Sequence, residues 1–325
     1  MSQPSDKILK NEYLSRLNRT IDYIHSHSHE DLNLDRLADV ACFSKYHFHR
    51  IFKAILGETA NEYVQRIRLE KALSQLILNK FKSITEIALD CGFSSSQNFA
   101  RSFKARYGIT PTHVRAEYGW DSTLRQMEKI KGRAMDKLQL DEKALSTFNT
   151  LQRQISLERI LARPSKMQVT VKKHPPYRVA YVRSWGPYDV EAGLDAFTRL
   201  LQWAGPRGLV NDKALLIGLV SNSPDVTPAE KLIYDACITV PESTEADRWV
   251  NIQLIPGGDF AVHHCEIDIY RQEDEWTRLV LDWLTQSEYQ PDDRPYYSIY
   301  YNTEEPFAIK NVIADFCLPV KPLMR

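Results

Sequence analysis

Lys45, Tyr46, His49 and Arg50 stand within about one and a half turns of each other in FSKYHFHRIFK, residues 43–53. About fifty residues on, FSSSQNFARSFK, residues 93–104, sets Ser96, Gln97, Asn98 and Arg101 at comparable places. These side chains have the chemistry of base-edge recognition. An arginine fork matches the O6 and N7 acceptors of guanine, and a Gln or Asn amide matches adenine. The phenylalanines have a different role. Phe48 and Phe52 in the first stretch, and Phe99 and Phe103 in the second, are four apart, so each pair lies on one helix face. One polar face over a buried Phe pair would be an ordinary solvated helix of a bundle. Two copies point to a repeated unit whose polar face has a use.

Other chemistry is excluded or carries less. His25, His27 and His29 alternate as ligands on a strand would, but they follow a helix pattern and precede a turn, so they read as a solvated helix end. The five cysteines are odd in number and no pair has CxxC spacing, which speaks for reduced, mostly buried thiols over a disulfide framework or zinc site. No P-loop, GxSxG or HExxH motif is present. No catalytic residue, metal or cofactor is therefore expected.

The elements that would position the two polar faces follow from local patterns. Leu14, Leu17, Ile21 and Ile24 step by three and four, as on a helix. Asn33 caps a helix through LDRLADVA, and Ser44 caps the next. Ser83 and Glu86 have capping-box spacing ahead of the second copy. Ala38 and Ala88 match as small residues at a helix crossing, and Phe43 and Phe93 match in the turn. Each unit thus reads as helix, tight turn, helix. Residues 61–78 lack Gly and Pro and form a connecting helix of about 27 Å at 1.5 Å per residue. Successive major grooves on one face of a duplex lie roughly 34 Å apart. Thr110 and Pro111 open a closing helix.

Residues 8–118 resemble the DNA-binding domain of the AraC/XylS family of bacterial transcription regulators, most specifically in CGFSSSQNFARSFKARYGITPTHVR. The resemblance implies that Tyr46, His49 and Arg50 face one major groove and Ser96, Gln97, Asn98 and Arg101 the next. Cys42 departs from it, because the family has a turn glycine there, as at Gly92.

The charge changes along the chain. Net charge is +4 over residues 1–118, +3 over 119–165 and −7 over 166–325, which fits two modules with different partners. Residues 119–166 read as a helical or flexible linker. From Met167 the pattern alternates, as in strands, around Pro175 and Pro176. VEAGLDAFTRLLQWA is a helix with Leu194, Phe197 and Leu201 on one face; ALLIGLVS and KLIYDACITV are strands. GGDFAVHHCEI as strand, QEDEWTRLVLDWL as helix, and RPYYSIYY and NVIADFCLPV as strands repeat that order. FTRLLQW and WTRLVLDW are related, so the second module is a duplicated strand-helix-strand-strand.

Residues 167–325 resemble the GyrI-like effector-binding domain, in PPYRVAYVRSWGPYD, IGLVSNSPDVTPAEKLIYDACITV, IPGGDFAV and the strand ending IYYN. A reading domain followed by this module resembles the Rob-like arrangement. The resemblance implies a small-molecule pocket between the two repeats, with Trp185, Tyr188, Trp276, Tyr297 and Tyr300 as candidate walls. Each of them fits core packing equally well. Many relatives carry a glutamate where this chain has Ser298, and a hydroxyl cannot supply that charge. His264 or Glu266 could reach into the space instead.

The expected architecture is an all-α duplicated helix-turn-helix domain (8–118), the linker (119–166) and an α+β GyrI-like domain (167–325). The expected function is sequence-specific transcription regulation controlled by a small molecule. The alternative is a hydrolase or sequestering protein using the GyrI-like pocket, and the position of Glu266 separates the two. Double-stranded DNA in adjacent major grooves, an aromatic or weakly cationic effector and RNA polymerase are the expected partners. No membrane partner is expected, and the location is cytoplasmic.

Overall fold

The computed structural model describes residues 4–79, 81–118, 167–222, 224, 227–301 and 311–323. The expected linker, 119–166, lies outside them. By its contacts the chain divides into two units, Arg19–Gln154 and Ile155–Leu323 with Met1–Asn18.

The helical unit uses the last part of α1 (Pro4–His27), from Arg19 on, and all of α2 (Leu34–Val40), α3 (Lys45–Leu56), α4 (Ala60–Leu78), α5 (Ile84–Asp90), α6 (Ser96–Tyr107) and α7 (Pro111–Tyr118). Side-chain caps set the starts. Arg36 N donates to Asn33 Oδ1 at 2.9 Å, and His113 N to Thr110 Oγ1 at 3.2 Å. Ser83 and Glu86 close their capping box, at 2.7 and 3.1 Å. Thr59 and Glu62 form another, at 2.7 and 3.3 Å, which starts α4 one residue earlier than its sequence pattern suggested. Each such cap contributes about 1 kcal/mol. Gly57 and Gly108 end α3 and α6 in the left-handed region. Tyr63, Ile67, Leu69, Ala72, Leu73 and Leu76 make α4 the buried axis of this unit.

The other unit is one antiparallel sheet with two helical segments. Its elements are β1 (Thr170–His174), β2 (Tyr177–Trp185), α8 (Val190–Ala204), β3 (Leu216–Val220), β4 (Ile233–Thr239), β5 (Asn251–Ile255), β6 (Gly258–Asp268), α9 (Gln272–Arg278), β7 (Tyr289–Pro291), β8 (Tyr296–Tyr300) and β9 (Asn311–Pro322). The strand order is β1-β6-β9-β8-β3-β4-β2-β5, with β7 on β9. The duplicated strand-helix-strand-strand order is present, as β2-α8-β3-β4 and β6-α9-β8-β9. Each repeat orders its strands alike, and the repeats join where β3 pairs with β8. The strand preceding each repeat crosses to the other: β1 pairs with β6, and β5 with β2. The sequence pattern did not reveal β5 or β7.

Alternate residues divide between two faces. Val179, Tyr181, Ile217, Leu219, Cys237, Phe260, Val262, Tyr297, Ile299 and Cys317 form one core. Tyr177 and Tyr297 have ring centroids 6.3 Å apart although β4 and β3 separate β2 from β8, so the sheet curls over this face. The opposite face carries the helices. Ala180, Val182, Leu216, Ala236 and Ile238 pack with Ala196, Phe197, Leu200, Trp203 and Ala204 of α8. The buried stripe of α8 is therefore centred on Leu200, while Leu194 and Leu201 are only half-buried. None of the five cysteines is in a disulfide: Cys91, Cys237 and Cys317 are buried, Cys265 half-buried and Cys42 exposed. Among the described residues no helix is long and apolar enough to cross a membrane.

Candidate nucleic-acid interface and effector site

In both helix-turn-helix units the aromatic pair is inward and the polar groups are outward. Phe48 and Phe52 are wholly buried with rings 5.3 Å apart, and so are Phe99 and Phe103 at the same spacing. On the outer side of α3, Tyr46 is 70% exposed and His49 and Arg50 are exposed. Arg50 Nη1 reaches Tyr46 Oη at 3.3 Å and its guanidinium lies over the ring. Lys45 pairs with Asp35 of α2 at 2.8 Å, across the turn. On α6, Gln97 and Arg101 are exposed and Ser96 and Asn98 half-exposed. Arg101 Nη2 donates to Asn98 Oδ1 at 3.3 Å, and Asn98 Nδ2 to Ser94 Oγ at 3.3 Å. Both faces thus present hydrogen-bonding groups paired loosely among themselves and open to a ligand.

The turns match in detail. Cys42 N bonds Asp39 O and Phe43 N bonds Ala38 O; Gly92 N bonds Leu89 O and Phe93 N bonds Ala88 O. Cys42 takes φ 54°, beside 82° at Gly92, so it adopts the glycine conformation that its type disfavours. A buried ion network ties both units to α4. Arg66 bonds Glu58 at 2.9 Å and Glu70 at 3.2 Å, and Arg106 of α6 reaches Glu70 at 3.5 Å. Burial works against the Arg66 charge, and Glu70 and Glu58 outweigh it and raise its pKa.

In the sheet unit, Ser298 pairs with Gly218 at the junction of the repeats and is 3% exposed on the helix-covered face. Tyr300 shares that face, and its hydroxyl donates to Gln272 Oε1 of α9 at 2.8 Å. Tyr188 donates to the carbonyl of Asn222 at 2.7 Å, and its ring lies 6.4 Å from that of Tyr234. Trp276 packs on Tyr296 at 4.8 Å. A Cβ on Gly218 would run into the Tyr234 hydroxyl and lie 3.0 Å from the Tyr300 ring, so these tyrosines fill the space above the junction. Burial pushes both hydroxyls up, which keeps them neutral. The Oδ1 of Asn222, itself 6% exposed, has no hydrogen-bond partner among the described residues.

Two expected wall residues lie elsewhere. Tyr297 is wholly buried in the core of the opposite face, and Trp185 shares that face at the end of β2, where Arg183 lies over its ring. The alternation of the strands puts them there. His264 and Glu266 also point to that side. His264 Nδ1 is 2.6 Å from Asp315 Oδ1, in the position that Arg183 and Asp235 hold in the first repeat at 2.7 Å. Glu266 Oε1 accepts from Asn311 Nδ2 at 3.3 Å. The β6 residues beneath α9 are His263 and Cys265. Tyr234, Tyr296, Asn222 and Gln272 were not anticipated; the period of two counted from Ser298 reaches Tyr296 directly.

Residues 37–117 match the family of the helix-turn-helix domain, and residues 167–321 that of the GyrI-like small molecule binding domain. The TetD protein of transposon Tn10 from Escherichia coli is 38% identical over 99 residues, 30% of this chain and 71% of TetD. The uncharacterized HTH-type transcriptional regulator YbfP from Bacillus subtilis is 36% identical over 99 residues, 30% of this chain and 33% of YbfP. The transcriptional regulator Rob from Salmonella typhimurium is 34% identical over 100 residues, 31% of this chain and 34% of Rob. The chain thus spans about a third of YbfP and of Rob.

Proposed function

From the premise that the chain belongs to the AraC-type helix-turn-helix transcriptional regulators and carries a GyrI-like domain, we propose that α3 and α6 read adjacent major grooves under the control of a small molecule. The observation that carries the reading is the matched pair of exposed polar faces on helices tied to one axis by the network of Glu58, Arg66, Glu70 and Arg106. Tyr46, His49 and Arg50 read one groove; Ser96, Gln97, Asn98 and Arg101 read the other. Lys45, held by Asp35, is the phosphate-side contact.

The effector binds on the helix-covered face, among Tyr188, Trp276, Ser298 and Tyr300. Among the described residues the Tyr188 hydroxyl donates to the Asn222 and Ile233 carbonyls and the Tyr300 hydroxyl to the Gln272 amide, all neutral partners, so a cation gains chiefly ring contacts there. Asn222 Oδ1, which has no hydrogen-bond partner among the described residues, favours a flat, neutral ligand with an N–H or O–H donor, because a buried unpaired acceptor costs about 1–3 kcal/mol. A hydrolase would need a base at this place. Glu266, its named candidate, turns away to Asn311, which favours the sensor over the enzyme. RNA polymerase is the third partner in this reading.

A band-shift series tests the DNA-binding half. The duplex is selected from random sequence by the full chain. Arg50→Ala and Arg101→Ala should each weaken specific binding by roughly 1–3 kcal/mol. Parental affinity in both variants would remove these helices from the grooves.

A further inference from the structure

Helix α9 and strand β6 enclose a group of side chains that the reading above does not use. His263 and Cys265, two apart on β6, face Glu275 on α9, and their ligand atoms all lie within 4.8 Å of one another. His263 Nε2 is 3.4 Å from Glu275 Oε2. The other ring nitrogen decides the tautomer. Nδ1 lies 2.9 Å from the carbonyl oxygen of Gln168, which can only accept, so Nδ1 carries hydrogen and Nε2 faces the thiol and the carboxylate. A carbonyl on the far nitrogen is the usual partner of a metal-bound imidazole. Arg278 Nη1 donates to both oxygens of Glu275, at 2.9 and 3.0 Å, and fixes the plane of the carboxylate.

The first repeat shows this place without the cluster. Tyr181 pairs with Cys237 as Val262 pairs with Cys317, which equates Val182 with His263 and Ser184 with Cys265. Aligning FTRLLQW with WTRLVLDW equates Ala196 with Glu275. Val182 and Ala196 are 6% and 0% exposed in an apolar sheet–helix contact. Packing alone is thus met by small apolar groups. The second repeat instead places an imidazole, a thiol and a carboxylate there, with His263 only 8% exposed; Gln168 and Arg278 partner the far nitrogen and the carboxylate, and a bound cation would offset the remaining cost of desolvating the group.

We propose that His263 Nε2, Cys265 Sγ and a Glu275 carboxylate oxygen bind one zinc ion, with the fourth position open to water. Mixed nitrogen, sulfur and oxygen donors on a borderline-soft divalent ion are a zinc set, and three protein ligands leave a tetrahedral position free. The ion pins α9 to β6. Gln272 and Trp276 on the same helix touch Tyr300 and Tyr296, so zinc steadies the helical wall of the effector face.

The test uses the full chain stripped of metal by a chelator. Zinc is titrated against a chromophoric indicator, and cobalt(II) reports thiolate ligation through its charge-transfer absorption. One zinc per chain and a cobalt–thiolate band are expected. Cys265→Ser should abolish the band, and Cys265→Ser and Glu275→Gln should each weaken zinc binding about tenfold or more. The triple variant His263→Val, Cys265→Ser, Glu275→Ala copies the first repeat; it should keep its circular dichroism and bind no zinc. The proposal falls if the parent binds no zinc, if the triple variant binds it as the parent does, or if the band depends on Cys42 and not on Cys265.

Discussion

Arg66 and Glu70 face each other inside α4 at 3.2 Å, with 2% and 5% of their side chains exposed. Both charges are almost wholly withdrawn from solvent, so each depends on the other and on Glu58 and Arg106. Removing one partner of such a pair costs about 3–5 kcal/mol, because the remaining charge is stranded, whereas replacing both by apolar groups can be nearly neutral. Arg66→Met should therefore destabilise the chain by about 3–5 kcal/mol, and Arg66→Met with Glu70→Leu should recover part of the loss. Urea unfolding followed by circular dichroism reads both. A single variant within about 1 kcal/mol of the parent would show that the network does not hold the helices.

Cys42 and Gly92 hold the same turn with the same hydrogen bonds, yet only one is suited to it. A side chain in the left-handed region costs about 1–2 kcal/mol, partly returned by the smaller entropy loss of a non-glycine residue. Cys42→Gly should raise stability by roughly 0.5–1 kcal/mol. Gly92→Ala should do the reverse and more, since its Cβ would lie 2.7 Å from Ser28 O and 2.9 Å from His29 Cα. Thermal melts of the two variants moving in the same direction would contradict the equivalence of the turns.

The helical unit was legible in the sequence because its signals are local. Asn33, Ser44, Ser83 and Thr110 each cap a helix within three residues, and the Phe pairs lie one turn apart. The duplication of the sheet unit was legible from FTRLLQW and WTRLVLDW. The exchange of β1 and β5 was not, because strand pairing joins residues far apart in sequence and leaves no local mark. Side-chain facing failed for a sharper reason. A shift of one residue along a strand reverses the face. His264 and Glu266 were named where His263 and Cys265 point under the helix, and Tyr297 was named where Tyr296 shares the face of Ser298.

His174 gives the sheet unit a pH dependence. Its ring stacks on Phe260 at 5.2 Å and its Nδ1 shares a 2.7 Å hydrogen bond with Tyr297. Burial, with help from Lys172, lowers its pKa below 6.5, and Asp315 only partly opposes this. Between the folded pKa and 6.5 the unfolded chain binds more protons, so stability rises with pH there. The contribution is complete above the unfolded pKa and is lost as pH falls through the folded one. Urea midpoints measured across that range should drop toward acid in the parent and drop less in His174→Phe. An unchanged slope in the variant would assign the effect to other groups.

Ser298 tests whether the junction of the repeats is a ligand site. Ser298→Glu would bring a carboxylate to a place filled by Tyr234 and Tyr300, where the groups acting on Tyr300 among the described residues are neutral. Burying that charge, or the neutral acid with its hydroxyl unpaired, is unfavourable. The variant should therefore melt below the parent. A lipophilic cation offers the missing charge and ring contacts, so it should restore the variant and leave the parent nearly unmoved. At a ligand concentration of about 100 times Kd, the gain is roughly 2.7 kcal/mol. Thermal shift with one such cation, across a salt series, reads the effect, which should shrink little with salt because the pair is shielded from solvent. Equal shifts in both proteins would mean that the cation binds away from Ser298. A variant as stable as the parent would mean that the space above Gly218 opens freely, against the packing of the two tyrosines.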